Sequence, residues 1–377
     1  MRALLSKYFK GDKVIWGVVA TLFLISILAV YSASSTLAYK YKEGNTTYFL
    51  FRHTFFLILG FLTVFWTHRI HHKYFMWLAQ FLYIASILLL LITLIAGVNR
   101  NFATRWLTIP IIGIDFQTSD FAKFSLIIFL SKILSQNQND TNDLKIAFQP
   151  MMIAIISICG LILPSNFSTA ALLFAVSWFL LFIGRMNWKY LFGTLGIIVV
   201  AFGLFLLIVA NWTGGGRIGT WRHRIESFSS DKSERNYQVE QAKIAIATGG
   251  IFGKGPGNSS QRNILPHPYS DFIYAFIIEE YGLLGGIFVL ILYLYLLYRS
   301  VVMVRRISRT FPAFLVIGLT LSIVFQALAN MAVAVNLIPV TGQTLPFVSM
   351  GGTSILFTSA SLGIILSVSR SLEENNF

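Results

Sequence analysis

Residues 310–369 contain no Asp, Glu, Lys or Arg, and after Lys145 no charge appears again until Arg185. Uncharged runs of this length constrain the fold strongly. About 20 apolar residues in a helix cross the hydrocarbon layer of a bilayer, and in lipid only helices and closed barrels satisfy every backbone N–H and C=O internally. The apolar residues fall in long blocks instead of at amphipathic spacing, and the chain of 377 residues is 56% hydrophobic and 12% charged. This composition predicts an all-α polytopic membrane protein and excludes a soluble domain.

Ten spans fit the pattern. Residues 14–34, 48–67 and 74–97 are each long enough to cross. A fourth near 117–134 is interrupted by Lys123 and Lys132, but the orientation demands it. Residues 146–184 are nearly twice too long for one crossing. Pro164, Ser165 and Asn166 divide them into two spans joined by a tight turn. Residues 189–212 follow, ending at Trp212 as an interface anchor, and then 271–298, 311–334 and 351–369. One long extracytoplasmic loop, 213–270, precedes the eighth span, and residues 1–377 read as a single transmembrane domain. No A-x-A-like site follows the first apolar run, so that run is expected to be retained.

Orientation follows from the cations. The inner connections hold most of them, including Arg69, Lys73, Arg185, Lys189, Arg299, Arg305, Arg306 and Arg309, whereas the short outer loops hold only Lys40, Lys42, Arg100 and Arg105. Both termini are therefore expected in the cytoplasm. The net charge of +14 is explained by topology and anionic lipid, not by nucleic acid. Arg52 and His53 are expected to snorkel to the outer end of span two, and His68, His71 and His72 to sit at the inner interface without a metal. Cys159 is expected to pack within an apolar run. Within the long loop, SERNYQVEQAKIAIA reads as a short helix stopped at Gly249 and Gly250. The uncharged connector NLIPVTGQTLPFVSMGG is expected to dip back into the protein, where irregular backbone is tolerated. No internal repeat points to an inverted-repeat transporter.

The chemistry concentrates in residues 248–286. A glycine-rich loop, FGKGPGNSS, leads through Pro266, His267 and Pro268 to a helix expected to open at Ser270 and Asp271. Either residue suits an N-cap, and the helix dipole favours a carboxylate there. Glu279 and Glu280 follow about 12–14 Å deeper in the same helix, where a carboxylate requires a partner or a wet cavity. Gly253, Gly255 and Gly257 with Lys254 could cradle a phosphate, or form a plain turn. The loop is not a Walker A motif, since Lys254 precedes a glycine. Asp120 and Lys123 are spaced to pair on one helix face, with Arg105 and Trp106 just upstream as a candidate pyrophosphate site or an interface anchor.

In this order the motifs resemble the SEDS family of shape, elongation, division and sporulation proteins, which includes RodA and FtsW. VYSASS (residues 30–35) is similar to the family's opening motif, and TRWL (104–107) with FQTSDFAK (116–123) to its RW and QPSE-x-x-K segment. Tyr237 and Gln238, GGIFGKGPGNSSQ and YSDFIYAFIIEEYG follow its signature loop and helix, and LPFVSMGGTS (345–354) its LPFISYGGSS motif. Departures are Thr118 and Asp120 for proline and glutamate, Asn166 for aspartate, Met350 for tyrosine, and Pro268 with Tyr269 in the lead-in to Asp271. The GNSSQ loop and the first span look closer to FtsW than to RodA.

The resemblance implies an inverting peptidoglycan glycosyltransferase that polymerises lipid II at the outer face of the bacterial cytoplasmic membrane, in division or elongation. Its implied partners are lipid II, the growing glycan strand, a class B penicillin-binding protein and other divisome or elongasome membrane proteins. The family's essential aspartate carries over onto Asp271, and general-base chemistry on the acceptor 4-hydroxyl agrees with it. Charge growing on the pyrophosphate must be met by cations, with Lys123, Arg105, Lys254 and Arg262, or Arg217, Arg222 and Arg224 of the loop, as candidates. The matched motifs add Gln117, Asp120, Gln238 and Ser349 as substrate contacts. A divalent cation, Mg or Mn, is compatible with this chemistry, although the sequence has no dedicated cage for one. The alternatives are a flippase for the lipid-linked precursor, in which Glu279 and Glu280 would matter most, and a non-catalytic scaffold.

Overall fold

A computed structural model describes residues 9–33, 46–100, 103–109, 114–141, 143–211, 219, 237–264 and 269–375. Ser34, Ser35, Lys40, Lys42, Trp212, Arg217, Arg222, Arg224 and residues 266–268 lie outside the described residues, as does most of the polar part of the predicted loop.

Among the described residues the chain forms eleven α-helices: α1 (Lys13–Ala33), α2 (Thr46–Thr67), α3 (His72–Ala96), α4 (Thr118–Gln136), α5 (Gln149–Ile162), α6 (Phe167–Ile183), α7 (Trp188–Ala210), α8 (Tyr237–Gly249), α9 (Ile273–Val304), α10 (Thr310–Ala334) and α11 (Thr353–Asn375). Eight are long and apolar enough to cross a membrane, α5 qualifying together with the π-turn Leu144–Phe148 that leads into it. The exceptions among the ten predicted spans are informative. Helix α4 forms where span four was expected but carries Asp120, Lys123 and Lys132, and α6 is apolar but has only 17 residues. The break between α5 and α6 falls where proline placed it, and Asn166 caps α6 by accepting from the Thr169 N–H at 3.4 Å. Helix α8 is the short helix expected inside the long loop.

One element was not anticipated. Residues expected to form a plain outer loop instead build a small antiparallel meander of β1 (Val98–Arg100), β2 (Ala103–Ile109) and β3 (Ile114–Gln117), with Trp106 opposite Gln117 and Leu107 opposite Phe116. The ATRWLTI segment of β2 is rich in β-branched and aromatic residues, which suit a pleated surface. Its brevity hid it among apolar helices.

The described chain divides into two compact units. The first comprises Met1–His71, Lys232–Arg306 and Ile323–Phe377, and the second His72–Asp231 and Ile307–Ser322. In the first, α2 and α11 approach closely because small residues line their contact. A Cβ added at Gly363 would lie 2.6 Å from the Thr67 Cβ, and one at Gly60 would lie 2.8 Å from Ser359 Oγ and Ile355 Cγ2. Close backbone approach substitutes for hydrophobic drive between membrane helices. Gly363→Leu is accordingly expected to destabilise the protein by about 1–3 kcal/mol through overpacking. Thermal unfolding in detergent measures this, and an unchanged midpoint would show that the helices separate freely.

The histidines depart from expectation. His53 does not snorkel: it is 1% exposed, with Nε2 2.7 Å from Ser26 Oγ, and Ser26 in turn donates to the Val348 carbonyl at 3.0 Å. The hydrogen-bond partner available inside outweighed the outer water. His68 is likewise buried, its ring edge-on to Trp16 at 5.3 Å, and His72 is buried in the second unit. Arg52 is exposed. Cys159 is buried and free.

Candidate active site

Asp271 sits two residues before the start of α9, just ahead of its N-cap position. The helix begins at Ile273, and its N-cap position, Phe272, makes no side-chain capping bond. The expected cap fails because capping needs the side chain to fold back on N–H groups two or three residues ahead. Asp271 instead takes its Oδ1 to the neighbouring Ser270 hydroxyl at 2.8 Å and stays half-buried.

Its backbone is held more firmly than its side chain. The three successive carbonyls of Tyr269, Ser270 and Asp271 each accept one bond from another part of the first unit: from the Met350 N–H (2.9 Å), the Ser349 hydroxyl (2.7 Å) and the Asn330 amide (2.8 Å). Two of those donors belong to the connector between α10 and α11, which does dip into the protein. Residues 345–349 are all buried. Tyr293 donates to the Pro346 carbonyl, Gln326 Nε2 to that of Thr344 at 3.0 Å and Asn330 to that of Gln343 at 2.7 Å. Buried irregular backbone thus finds the partners it requires. Ser349, expected to touch substrate, is 1% exposed, and its hydroxyl also accepts from the Leu345 N–H at 2.8 Å. With its oxygen engaged from both sides, Ser349 shapes the site instead of contacting a ligand.

The glycine-rich loop carries a second correction. Its donors do converge on an anion, but the anion is the protein's own. Glu279 Oε1 accepts from Lys254 Nζ (2.7 Å), the Ser260 N–H (3.0 Å) and hydroxyl (2.9 Å) and the Gln261 N–H (3.3 Å), while Oε2 accepts from Ser259. Glu280 Oε1 accepts from Ser32 (2.5 Å), in the VYSASS motif, and from the Gly257 N–H (2.9 Å). Lys254 is thereby paired with Glu279 and also donates to the Ser260 hydroxyl at 2.7 Å, so the loop's charge is matched from within. Arg262 donates from Nη1 to the Gly257 carbonyl at 3.2 Å, which braces the same loop. Gln238 lies half-exposed on α8.

These contacts exist because α9 is discontinuous. Gly282 has φ +72° and ψ −177° inside it, a region essentially closed to side chains. The freed groups pair with the loop: Glu279 and Glu280 carbonyls accept from the N–H of Lys254 and Gly255, both at 2.9 Å, and the N–H of Leu283 and Leu284 donate to Gly250 and Ile251 at 2.9 and 3.3 Å. A Cβ on Gly282 would lie 2.1 Å from the Ile251 oxygen, and one on Gly253 would lie 2.2 Å from that of Glu280. Gly282→Ala is expected to cost at least about 1–3 kcal/mol from backbone strain alone, with the clash added. Unchanged thermal stability and unchanged protease resistance of the loop would contradict this.

The remaining candidates lie in the second unit. Arg105 on β2 donates from Nε to the Ser165 carbonyl at 2.9 Å and so ties the meander to the turn between α5 and α6. Asp120 and Lys123 form the expected i,i+3 pair, 2.7 Å apart and buried on α4. Gln117 ends β3 and donates to Ser119 at 3.1 Å. Burial of an acid–base pair at the head of α4 was legible only as spacing.

Two features of the fold escaped the sequence reading. Gln326 and Asn330, four apart and thus on one face of α10, are the amide side chains of an otherwise apolar helix, and that isolation was the available signal. The Ser26–His53 pair had none. For a divalent cation, no group of three or more His, Cys, Asp or Glu gathers among the described residues. These residues offer it no cage.

Comparison with known proteins gives a consistent picture. A family model described as cell cycle protein, covering FtsW, RodA and SpoVE, matches residues 12–374. The chain is 31% identical over 370 residues to a Trichlorobacter lovleyi protein named probable peptidoglycan glycosyltransferase FtsW, with 96% of this chain and 94% of that one covered. It is also 31% identical over 362 residues to stage V sporulation protein E of Bacillus subtilis, covering 94% and 96%. Among solved structures it is similar to a chain of a peptidoglycan synthase complex described as coordinating polymerization and crosslinking (TM-score 0.76, 24% identity, 96% and 98% covered). Rod shape determining protein RodA of Thermus thermophilus is similar as well (TM-score 0.69, 24% identity, 97% and 98% covered).

Proposed function

Because the chain belongs to the cell cycle protein family of FtsW, RodA and SpoVE, we propose that this multi-pass membrane protein is a peptidoglycan glycosyltransferase that polymerises lipid II, with Asp271 as its general base. The observation that carries the assignment is that three donors clamp the backbone carbonyls of residues 269–271, the stretch that bears this half-buried carboxylate. A base is effective only when fixed within hydrogen-bond reach of the proton that it takes, and the clamp fixes this one while leaving its side chain approachable.

The reaction is a single displacement. Asp271 accepts the proton of the acceptor sugar's 4-hydroxyl as that oxygen attacks the donor's anomeric carbon. The bond from that carbon to the pyrophosphate oxygen breaks, and the lipid pyrophosphate leaves with the electron pair. One in-line substitution inverts an α-linked donor to a β-1,4 bond. Arg105 and Lys123 are proposed to meet the pyrophosphate, and Gln117 and Asp120 in the same motif to contact substrate elsewhere, assignments that rest on the family motif.

The proposed setting is the outer face of the bacterial cytoplasmic membrane with both termini inside, where ten crossings would place residues 213–270 outside. A class B penicillin-binding protein is the proposed partner, consistent with the structurally similar chain having been solved within a synthase complex. Supplying purified protein and partner with lipid II tests the function: glycan strands are expected. Movement of the lipid across vesicles without any strand formation would instead favour a flippase.

A further inference from the structure

We propose that Asn330 is a positioning residue for Asp271, setting where its carboxylate points by holding its backbone carbonyl from a rigid helix. The inference rests on Asp271 being the base. Asn330 lies on α10 and is wholly buried, where unused amide N–H groups are costly; its Oδ1 has no hydrogen-bond partner, so its two donors are what tie it to its surroundings. They are used: Nδ2 donates to the Asp271 carbonyl at 2.8 Å and to the Gln343 carbonyl at 2.7 Å. Both acceptors lie in chain without regular structure.

The position of the Asp271 carbonyl makes this contact decisive. The backbone bond that enters α9 runs from the Phe276 N–H to the Phe272 carbonyl, so the Asp271 carbonyl falls just before the helical ladder. Its orientation is set by Asn330 and not by the helix. Tyr269 and Ser270 are fixed by the connector through Met350 and Ser349, whereas Asp271 is fixed by a side chain of α10. That same amide holds Gln343, beside Gly342, and a Cβ on Gly342 would come 3.7 Å from Asp271 Oδ2. One amide therefore sets both the acid's backbone and the segment that flanks its carboxylate.

Gln326, one turn earlier, supplies the internal control. It makes a bond of the same kind at 3.0 Å, to the Thr344 carbonyl of the connector and not to Asp271. If the two amides merely staple the connector, their loss should have equal consequences. If Asn330 acts through the acid, only its loss should strike turnover.

The test measures lipid II polymerisation by the full-length protein with its partner, with thermal unfolding recorded in parallel, for Asn330→Leu, Asn330→Gln and Gln326→Leu. Displacing a catalytic group by a fraction of an ångström to 1 Å lowers rate by up to about 100-fold. Asn330→Leu is expected to lower kcat about 10- to 100-fold with KM within about twofold. Asn330→Gln retains the donors on a longer arm and is expected to fold and to show an intermediate kcat; it decides the question should the leucine variant not fold. Gln326→Leu is expected to keep kcat within about twofold of wild type despite a comparable loss of stability. The proposal is overturned if Asn330→Gln and any folded Asn330→Leu keep wild-type kcat, or if kcat falls equally in the Gln326 variant. Asp271→Ala run alongside separates the two levels. If it still polymerises, the base assignment fails; if it is inactive while the Asn330 variants match wild type, only the positioning role fails.

Discussion

Protein carrying Asp271→Ala, given lipid II and its partner, is expected to make glycan strands about 100- to 10,000-fold more slowly than wild type, the range a positioned general base contributes. Folding and partner binding should survive. The side chain is half-buried and its hydrogen bond shown here is to the adjacent Ser270, so truncation orphans no distant group, and changes of this kind stay within about 0.5–1 kcal/mol. The three clamping bonds go to main-chain carbonyls and are untouched. Asp271→Asn sharpens the result, because it keeps shape and still accepts from Ser270 but cannot take up the proton; it should be as inactive as alanine. Strand formation by either variant at near wild-type rate would remove Asp271 from the chemistry.

The largest effect on stability is expected at Glu279. Its carboxylate is fully buried and serves five donors from Lys254, Ser259, Ser260 and Gln261. Glu279→Leu leaves those donors facing an apolar side chain, and breaking a buried ion pair from one side costs about 3–5 kcal/mol. The reverse change is gentler: Lys254 remains 26% exposed, so Lys254→Met leaves a carboxylate that still has four other donors, and should cost about 1–2 kcal/mol. Thermal unfolding gives the order, and limited proteolysis between residues 250 and 264 gives the place. Equal stability of Glu279→Leu and wild type would mean that the loop is held by something other than this carboxylate.

How far the sequence could be read depended on the range of the interaction. Apolar length alone located nearly every long helix, and Pro164 with Asn166 located the break between α5 and α6, since both signals are local. The i,i+3 spacing of Asp120 and Lys123 likewise became a real pair. What failed were inferences whose outcome is decided by distant partners. His53 was given to the outer water because its own helix offers it nothing, yet Ser26 waited on another. Lys254 looked free for phosphate because Glu279 is 25 residues away. The cap at Asp271 was misplaced because the start of α9 is displaced by bonds from residues 330, 349 and 350. Family motifs marked several of these positions as important without disclosing which contacts they make.

The discontinuity at Gly282 has a bearing on how the chain is assembled. Residues 249–255 leave the ribosome before residues 279–284, and the backbone bonds that seal the gap join only those two stretches. The seam is therefore closed within residues 249–284, and the most irregular backbone in α9 takes none of these four bonds from α10 or α11.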